Sequence, residues 1–313
     1  MISVVIPNYN GRRYLEGCLP SLSAQTFEDF EVIVVDNGSK DGSCEYVAEE
    51  FPRVRIVENE ENLGFAAGVN SGISIARGEH ILTLNNDTVA EREFIGSLAE
   101  AIGSDGRVGM CASKMLFLDG RINSAGICLS RSGAAWDRGM GEADRGQYDA
   151  ACEVFGPSAG AALYRREMLD EIGLFDEDFF AYMEDVDLAF RGRLAGWRCL
   201  YVPGARVRHV HGGTAGFGSD LSVYYGNRNI LWYPVKDFPL GLLISSLPWI
   251  AGRSLAVIPY YALRGQGRTI LRSKVDGLAG IPRMLRKRKS LLRRVGSREI
   301  RKHIRTWSEI GEP

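Results

Sequence analysis

No two cysteines in this chain form a Cys-x-x-Cys pair; the six, Cys18, Cys44, Cys111, Cys128, Cys152 and Cys199, are scattered. That scatter argues against a zinc site or a redox dithiol and suits a reducing compartment. No basic leader precedes the N-terminal apolar segment, which opens directly on a strand-like run. A secretory signal is therefore not expected, and the protein is placed in the cytoplasm. Neither a Walker A loop nor a Gly-x-Gly-x-x-Gly fingerprint occurs, which withdraws support from kinases and dehydrogenases. Internal repeats and low-complexity tracts are missing too. Long apolar runs are scarce. Between Asp237 and Arg253 lie fifteen uncharged residues, interrupted by Pro239 and Pro248, against the roughly 20 that a membrane-spanning helix needs. With Trp232, Tyr233, Trp249, Tyr260 and Tyr261 around it, the segment reads as an interfacial helix.

Net charge is close to absent, at −1, but the average hides a split. Residues 264–313 carry fifteen Lys/Arg against four Asp/Glu, and the rest of the chain carries twenty-three against thirty-five. A basic tail on an acidic body points to an anionic partner at the tail. The run Arg283–Arg294 suits a membrane surface, so a peripheral protein on the cytoplasmic face is expected. Nucleic acid is not expected, because the tail lacks the aromatic interleaving of a base-stacking platform.

What is present is ordinary folded-protein composition, 45% apolar and 25% charged, in a chain long enough for one large α/β domain with an extension. Strand-like runs at Ile2–Pro7, Glu31–Asp36, Val54–Glu58 and His80–Leu84 alternate with helical periodicity from Tyr14 to Leu22, from Ser43 to Glu50 and over Phe65–Ala76. Ser43 is placed to cap its helix. The alternation predicts an α/β fold with a mostly parallel sheet and helices on both faces. Ligands of such sheets sit at the carboxyl ends of the strands, here Asn8, Tyr9, Asp36, Asn37 and Asp87. From about Met110 to Phe155 the pattern is irregular and reads as an insertion over the site. Beyond it, Ala161–Tyr164 reads as a strand, Glu184–Leu194 as a helix, and Cys199–Val202 and Val207–His211 as two short strands.

Several residue types carry chemistry. Asp87 follows a strand, where a metal bridging two phosphates finds a hard oxygen ligand, although Asn86-Asp87-Thr88 also reads as a turn and cap. Glu184, Asp185 and Asp187 open a helix, where they complement its dipole; one of them facing a cleft would serve as a general base. Asp187 is also spaced to pair with Arg191. His209 and His211 lie two apart on a strand and so share a face, with a metal or phosphate as the ligand. Arg228, after Tyr224 and Tyr225, suits either a diphosphate clamp or an aromatic surface. The segment from Asn62 to Asn70 allows close backbone approach and opens a helix, which suits an anion.

In combination, VVIPNYN, VVDNGSKDGS, NLGFAAGVNSGI, LNNDT, GLFDEDFFAYMEDVDLAFR and RHVHGGTAG follow one another over about Ser3–Asn229. In this order they resemble the family-2 inverting glycosyltransferases of the GT-A fold, in particular the bacterial rhamnosyltransferase-like branch. The resemblance implies a catalytic domain over 1–230, with a nucleotide-sugar half to about 110 and an acceptor half beyond, followed by a helical, amphipathic and basic extension over 231–313. It implies that Pro7, Tyr9, Asp36 and Asn37 contact the nucleotide and that Asn62, Gly64, Phe65 and Asn70 line the donor pocket. Asp185 matches the catalytic base, with Glu184 beside it. Asp87 matches the last carboxylate of the Asp-x-Asp metal motif, so Mg2+ or Mn2+ is the implied cofactor. His209, with His211 second, matches a histidine that helps hold metal or diphosphate. Asn85 stands where the fullest motif has an Asp, one charge fewer for the metal. The implied partners are a nucleoside-diphosphate sugar and a glycan or lipid-linked acceptor of cell-surface polysaccharide synthesis. The rival reading is an inert nucleotide-sugar-binding or scaffold protein at the membrane.

Overall fold

The β-branched run at the N-terminus forms β1 (Ile2–Asn8), whose side chains are buried on both faces. In the computed structural model, which describes residues 1–210 and 218–305, there follow α1 (Arg12–Ser23), β2 (Phe30–Asp36), α2 (Ser43–Glu50), β3 (Arg55–Glu58), α3 (Gly64–Ile75) and β4 (His80–Leu84). β1 lies between β2 and β4, with all three parallel and β3 parallel outside β2. Alternate residues of β1 serve opposite layers. Val5 joins Val69 and Ile73 of α3, whereas Val4 and Ile6 join Leu15 and Leu19 of α1. Ser43 opens α2 instead of capping it. The cap is Gly42 at φ 78°, and the Ser43 hydroxyl donates to Asp41.

After β5 (Thr88–Ala90) and α4 (Phe94–Gly103), the expected irregular insertion begins instead with a core strand, β6 (Val108–Phe117). Nine of its ten residues are buried, so the run shows no polar alternation to read. Lys114 inside it is fully buried and paired with Asp144 at 2.7 Å and Asp149 at 2.6 Å. Smaller strands follow: β7 (Ile122–Ser124), β8 (Ile127–Ser130), β9 (Ala135–Asp137) and β10 (Cys152–Glu153). Next come β11 (Ala161–Arg165), α5 (Arg166–Ile172), a single 3-10 turn at Glu177–Phe179, α6 (Glu184–Ala195) and β12 (Arg198–His209). The two short strands expected at 199–211 are one strand. Its register against β6 jumps between Val202 and Arg206, a bulge that hides the continuity.

The main sheet runs β10-β12-β6-β11-β4-β1-β2-β3. β11 is antiparallel to both β4 and β6, and β12 is parallel to β6. The start of β11 and the ends of β1, β2, β4, β6 and β12 therefore share one edge.

The chain closes with α7 (Asp220–Asp237), α8 (Leu240–Ala262), α9 (Gly267–Arg288), α10 (Ser297–Arg301) and β13 (Ile304–Arg305), which pairs with β8. The expected junction at 230/231 falls inside α7. α8 runs through both Pro248 and Pro259 for 23 residues, with a mean hydropathy of 1.5 in its most apolar 18-residue stretch, so by length and composition alone it is long enough to cross a membrane. Both prolines lie on its exposed side, so they do not break the run as expected. α9 packs closely on α7, where the Trp232 indole donates to Gly277 O at 2.8 Å and a Cβ on Gly280 would meet the indole ring. Part of the basic tail is spent on the acidic body. Lys287 and Arg283 pair with Asp178, and Arg294 with Glu171.

Candidate active site

At the shared edge, short polar side chains tie the strand ends together. Asn8 sits opposite Asp36, donates to its Oδ1 at 2.9 Å and accepts from Asn86 Nδ2 at 2.7 Å. Asp36 Oδ2 accepts from Ser39 N at 2.8 Å, which turns the chain after β2. Asn37 reaches the next loop, donating to Gly64 O at 3.0 Å. Tyr9 stands exposed beside these buried braces, and Pro7 pairs in register with Val35.

The Asn62–Asn70 segment starts α3 and reaches toward the chain that precedes α6. Asn62 Oδ1 accepts from Gly64 N at 2.9 Å. Gly64 has φ 82°, and a Cβ there would lie 2.5 Å from Phe180 O, so this position requires glycine. Phe65 meets Phe175 edge to face, and the Asn70 amide donates to Phe175 O and Glu177, both at 2.9 Å. The residues expected to line the donor pocket therefore also fasten it to the 175–180 segment.

Past β4, Asp87 and His209 come together. β5 pairs antiparallel with β12, placing Thr88 opposite His209. His209 Nε2 lies 3.0 Å from Asp87 Oδ1 and 3.3 Å from the Asn85 amide, while Nδ1 lies 2.8 Å from Asn123 Oδ1. With Nδ1–H donating to Asn123, the Nε2 lone pair faces a carboxylate oxygen. Two such acceptors about 3 Å apart match neighbouring ligands of an octahedral cation with bonds of about 2.1 Å. Among the described residues no group of three or more His, Cys, Asp and Glu side chains gathers as a metal cluster, so any cation here would take further ligands from phosphate and water. His211 lies outside the described residues.

The carboxylate pair of α6 divides by exposure. Glu184 is 6% exposed, whereas Asp185 is only partly buried. Asp185 Oδ2 accepts from Ala159 N at 3.2 Å, and the following Gly160 O accepts from Asn85 N at 2.9 Å. One short loop thus links the base candidate to the strand end that carries Asn85. Burial raises Asp185 above the ordinary carboxylate range, opposed by backbone N–H groups of Ala159 and Val186. Burial raises Glu184 well above that range, and the charge on Asp185 adds to the rise. Of the two, Glu184 is pushed further, so it holds its proton to higher pH than Asp185 does. Asp187 is fully buried and bound to Arg191 at 2.8 Å and Lys236 at 2.5 Å, a structural role.

Arg228 spends its donors on the chain before α6. Its Nη2 donates to Asp178 O at 2.8 Å and Phe179 O at 3.0 Å, and its guanidinium lies 4.0 Å over Trp232. Two site residues went unread in the sequence. Asn123 orients His209 from β7. Asp137 on β9 is pushed by burial up to about 6, with Ser124 opposing and Asp185 adding to the rise. Nothing in their local sequence separates them from ordinary insertion residues.

The sheet, with its polar edge at the strand ends, has the GT-A architecture, the fold of a transferase acting on activated sugars. The chain belongs to the family described as Glycosyl transferase family 2, whose sequence pattern matches residues 3–173. It is 27% identical over 316 residues to the N-acetylglucosaminyl-diphospho-decaprenol L-rhamnosyltransferase of Mycobacterium tuberculosis, covering 90% of this chain and 98% of the relative. It is 36% identical over 105 residues to glycosyltransferase GlyG of Streptococcus pneumoniae, covering 33% of this chain and 35% of that one. The mannosyltransferase PcManGT of Pyrobaculum calidifontis, solved with GDP-Man and Mn2+, shares the fold. Its TM-score is 0.57 at 18% identity, over 88% of this chain and 86% of that one. Staphylococcus aureus TarS 1–349 with UDP-GlcNAc gives 0.54 at 22% identity, over 80% and 70%.

Proposed function

We propose that the chain moves L-rhamnose from a nucleoside-diphosphate donor to a hydroxyl of a lipid-diphosphate-linked acceptor, with inversion, at the cytoplasmic face of the membrane. The observation that carries the transfer is the partly exposed Asp185, held by Ala159 N one residue from the loop that meets Asn85. The likeness to the mycobacterial rhamnosyltransferase over nearly its whole length supports the sugar and the acceptor class.

In the reaction, Asp185 accepts the proton of the acceptor hydroxyl as that oxygen attacks the anomeric carbon. The bond from that carbon to the diphosphate breaks on the opposite face, and the electron pair leaves with the diphosphate. Burial favours the neutral form of Glu184 more strongly than that of Asp185, which leaves Asp185 the readier of the two to carry charge. Asp87 and His209 would hold Mg2+ or Mn2+, with His211 a further candidate; the cation supplies charge neutralisation for the leaving diphosphate. Pro7, Tyr9, Asp36 and Asn37 are assigned to the nucleotide, and Asn62, Gly64, Phe65 and Asn70 to the sugar side of the donor.

A thermal-shift screen of nucleotide sugars with Mn2+ tests the donor, since a ligand of the native state raises stability with its affinity. The rhamnose donor is expected to give the largest shift. A larger shift with a hexose donor overturns the sugar assignment. An inert binder would show the same shift without turnover, which a product assay separates.

The membrane placement rests on the exposed sides of two helices. Leu240, Ile244, Leu247 and Leu255 of α8 and Leu271, Val275 and Leu278 of α9 are exposed at helical spacing, and Arg264, Arg268, Arg272, Arg286 and Lys289 are exposed on the same helices and their junction. Apolar area plus basic charge supplies the two signals that stable attachment needs. The protein should float with anionic vesicles at low salt and less so at high salt. Recovery in the pellet with anionic vesicles at low salt would remove the membrane placement.

A further inference from the structure

The segment that delivers Asp185 is under backbone strain. Phe180, Tyr182 and Met183 have φ of 65°, 67° and 69°, three of the four positive-φ residues other than glycine among the described residues. Such conformations are unfavourable for side chains with a Cβ and persist only where the surroundings over-determine them. Met183 is the residue before α6 and its carbonyl accepts from Asp187 N at 2.9 Å, so the turn sets the direction of the catalytic helix.

The restraint comes from the C-terminal helices. Asn229 of α7, fully buried, shares the two N–H groups of its amide among three carbonyls of the turn: Phe179 at 2.9 Å, Ala181 at 2.9 Å and Tyr182 at 2.7 Å. Its own Oδ1 accepts from Arg228 Nε at 2.9 Å, which fixes the amide orientation. Lys287 of α9 grips the start of the same segment through Asp176 at 2.5 Å and Asp178 at 2.7 Å. From α3, Ala66 N donates to Phe180 O at 3.2 Å, while the Phe180 ring stacks on Tyr225 of α7 at 4.7 Å.

We propose that Asn229 and Lys287 are positioning residues for the sugar transfer, holding the 176–183 segment in the strained form that aims Asp185 at the acceptor hydroxyl. The C-terminal helices are on this account part of the catalytic unit. The proposal rests on Asp185 being the base. Neither residue touches the reacting atoms; each acts through the turn.

The test is a double-mutant cycle with Asp185→Asn in the full-length chain, reading kcat and donor Kd separately. Asn229→Ala and Lys287→Ala should each lower kcat about 10- to 100-fold, the range for a displacement of about 1 Å at a reacting group. Donor Kd should stay within about threefold, and Lys287→Arg should restore most of the rate. In the Asp185→Asn background the same substitutions should cost little more, because residues acting through one group are not additive. If Asn229→Ala does not fold, Lys287→Ala, at a partly exposed position, carries the cycle alone. Equal losses in both backgrounds, or a loss of donor affinity matching the loss of rate, would overturn the positioning role. Retention of activity by Asp185→Asn itself would instead strike the base assignment, which the cycle reports separately.

Discussion

Asp185→Asn should abolish most turnover while leaving the fold and the donor affinity in place. The substitution is isosteric and keeps an acceptor for Ala159 N, but it deletes the form that takes a proton. General-base contributions are about 10²–10⁴-fold, and the loss should fall in kcat. The wild-type pH profile should carry the same group. Asp185 is raised above its ordinary value of 3.8, so the basic form is lost as pH falls through this higher value. The acid limb of kcat should therefore lie above the range of a solvent-exposed aspartate and vanish in the variant. A variant at near wild-type rate would pass the role to another carboxylate. Glu184 is then disfavoured by its burial, whereas Asp137, close enough to feel the charge of Asp185, becomes the next to replace.

Asp87→Ala should weaken donor binding in Mn2+ and leave binding in EDTA nearly unchanged, because the carboxylate acts through the cation. Loss of a partner behind a metal ligand costs about 10–100-fold in affinity, and removal of a ligand should cost at least that. Asn85 contributes no charge, so the apo protein should bind metal weakly until the donor diphosphate completes the coordination. Titrations of donor in the two conditions decide the matter. Equal losses in both would make Asp87 a structural partner of His209 and nothing more.

Legibility in the sequence followed the physics of each element. The first four strands were readable because β-branched runs closed by polar residues leave no competing pattern, and their ends gave the edge where Asn8, Asp36 and Asp87 stand. β6 was not readable. It is buried on both faces and contains Lys114, whose charge is answered by Asp144 and Asp149 some thirty residues on in an insertion that only the fold brings near. Asp187 was readable with its Arg191 partner, since i,i+4 pairing is local. Its second partner, Lys236, comes from another helix and was not. The basic tail was visible as charge. Its division between an inner face on the body and an outer face with the apolar stripe depends on the rotation of α9, which packing against α7 sets. Asn229 illustrates the limit best. An asparagine in a helix is an ordinary residue until three carbonyls of a distant turn are seen around it.

The bulge in β12 has a consequence for how this chain tolerates changes of length. Pro203, Gly204 and Ala205 fall between partners that are adjacent on β6, Ser113 and Lys114. Val202 and Arg206 are four apart yet stand beside adjacent residues of β6, so they face opposite sides and alternation is interrupted across the three residues between them. Downstream, the pairing of Arg206–His209 with β6 and of His209 with Thr88 sets the side the imidazole takes, the side of Asp87 and Asn123. The loop-out is slack between core and chemistry: a residue added or removed within it should be absorbed there and leave the imidazole where it is.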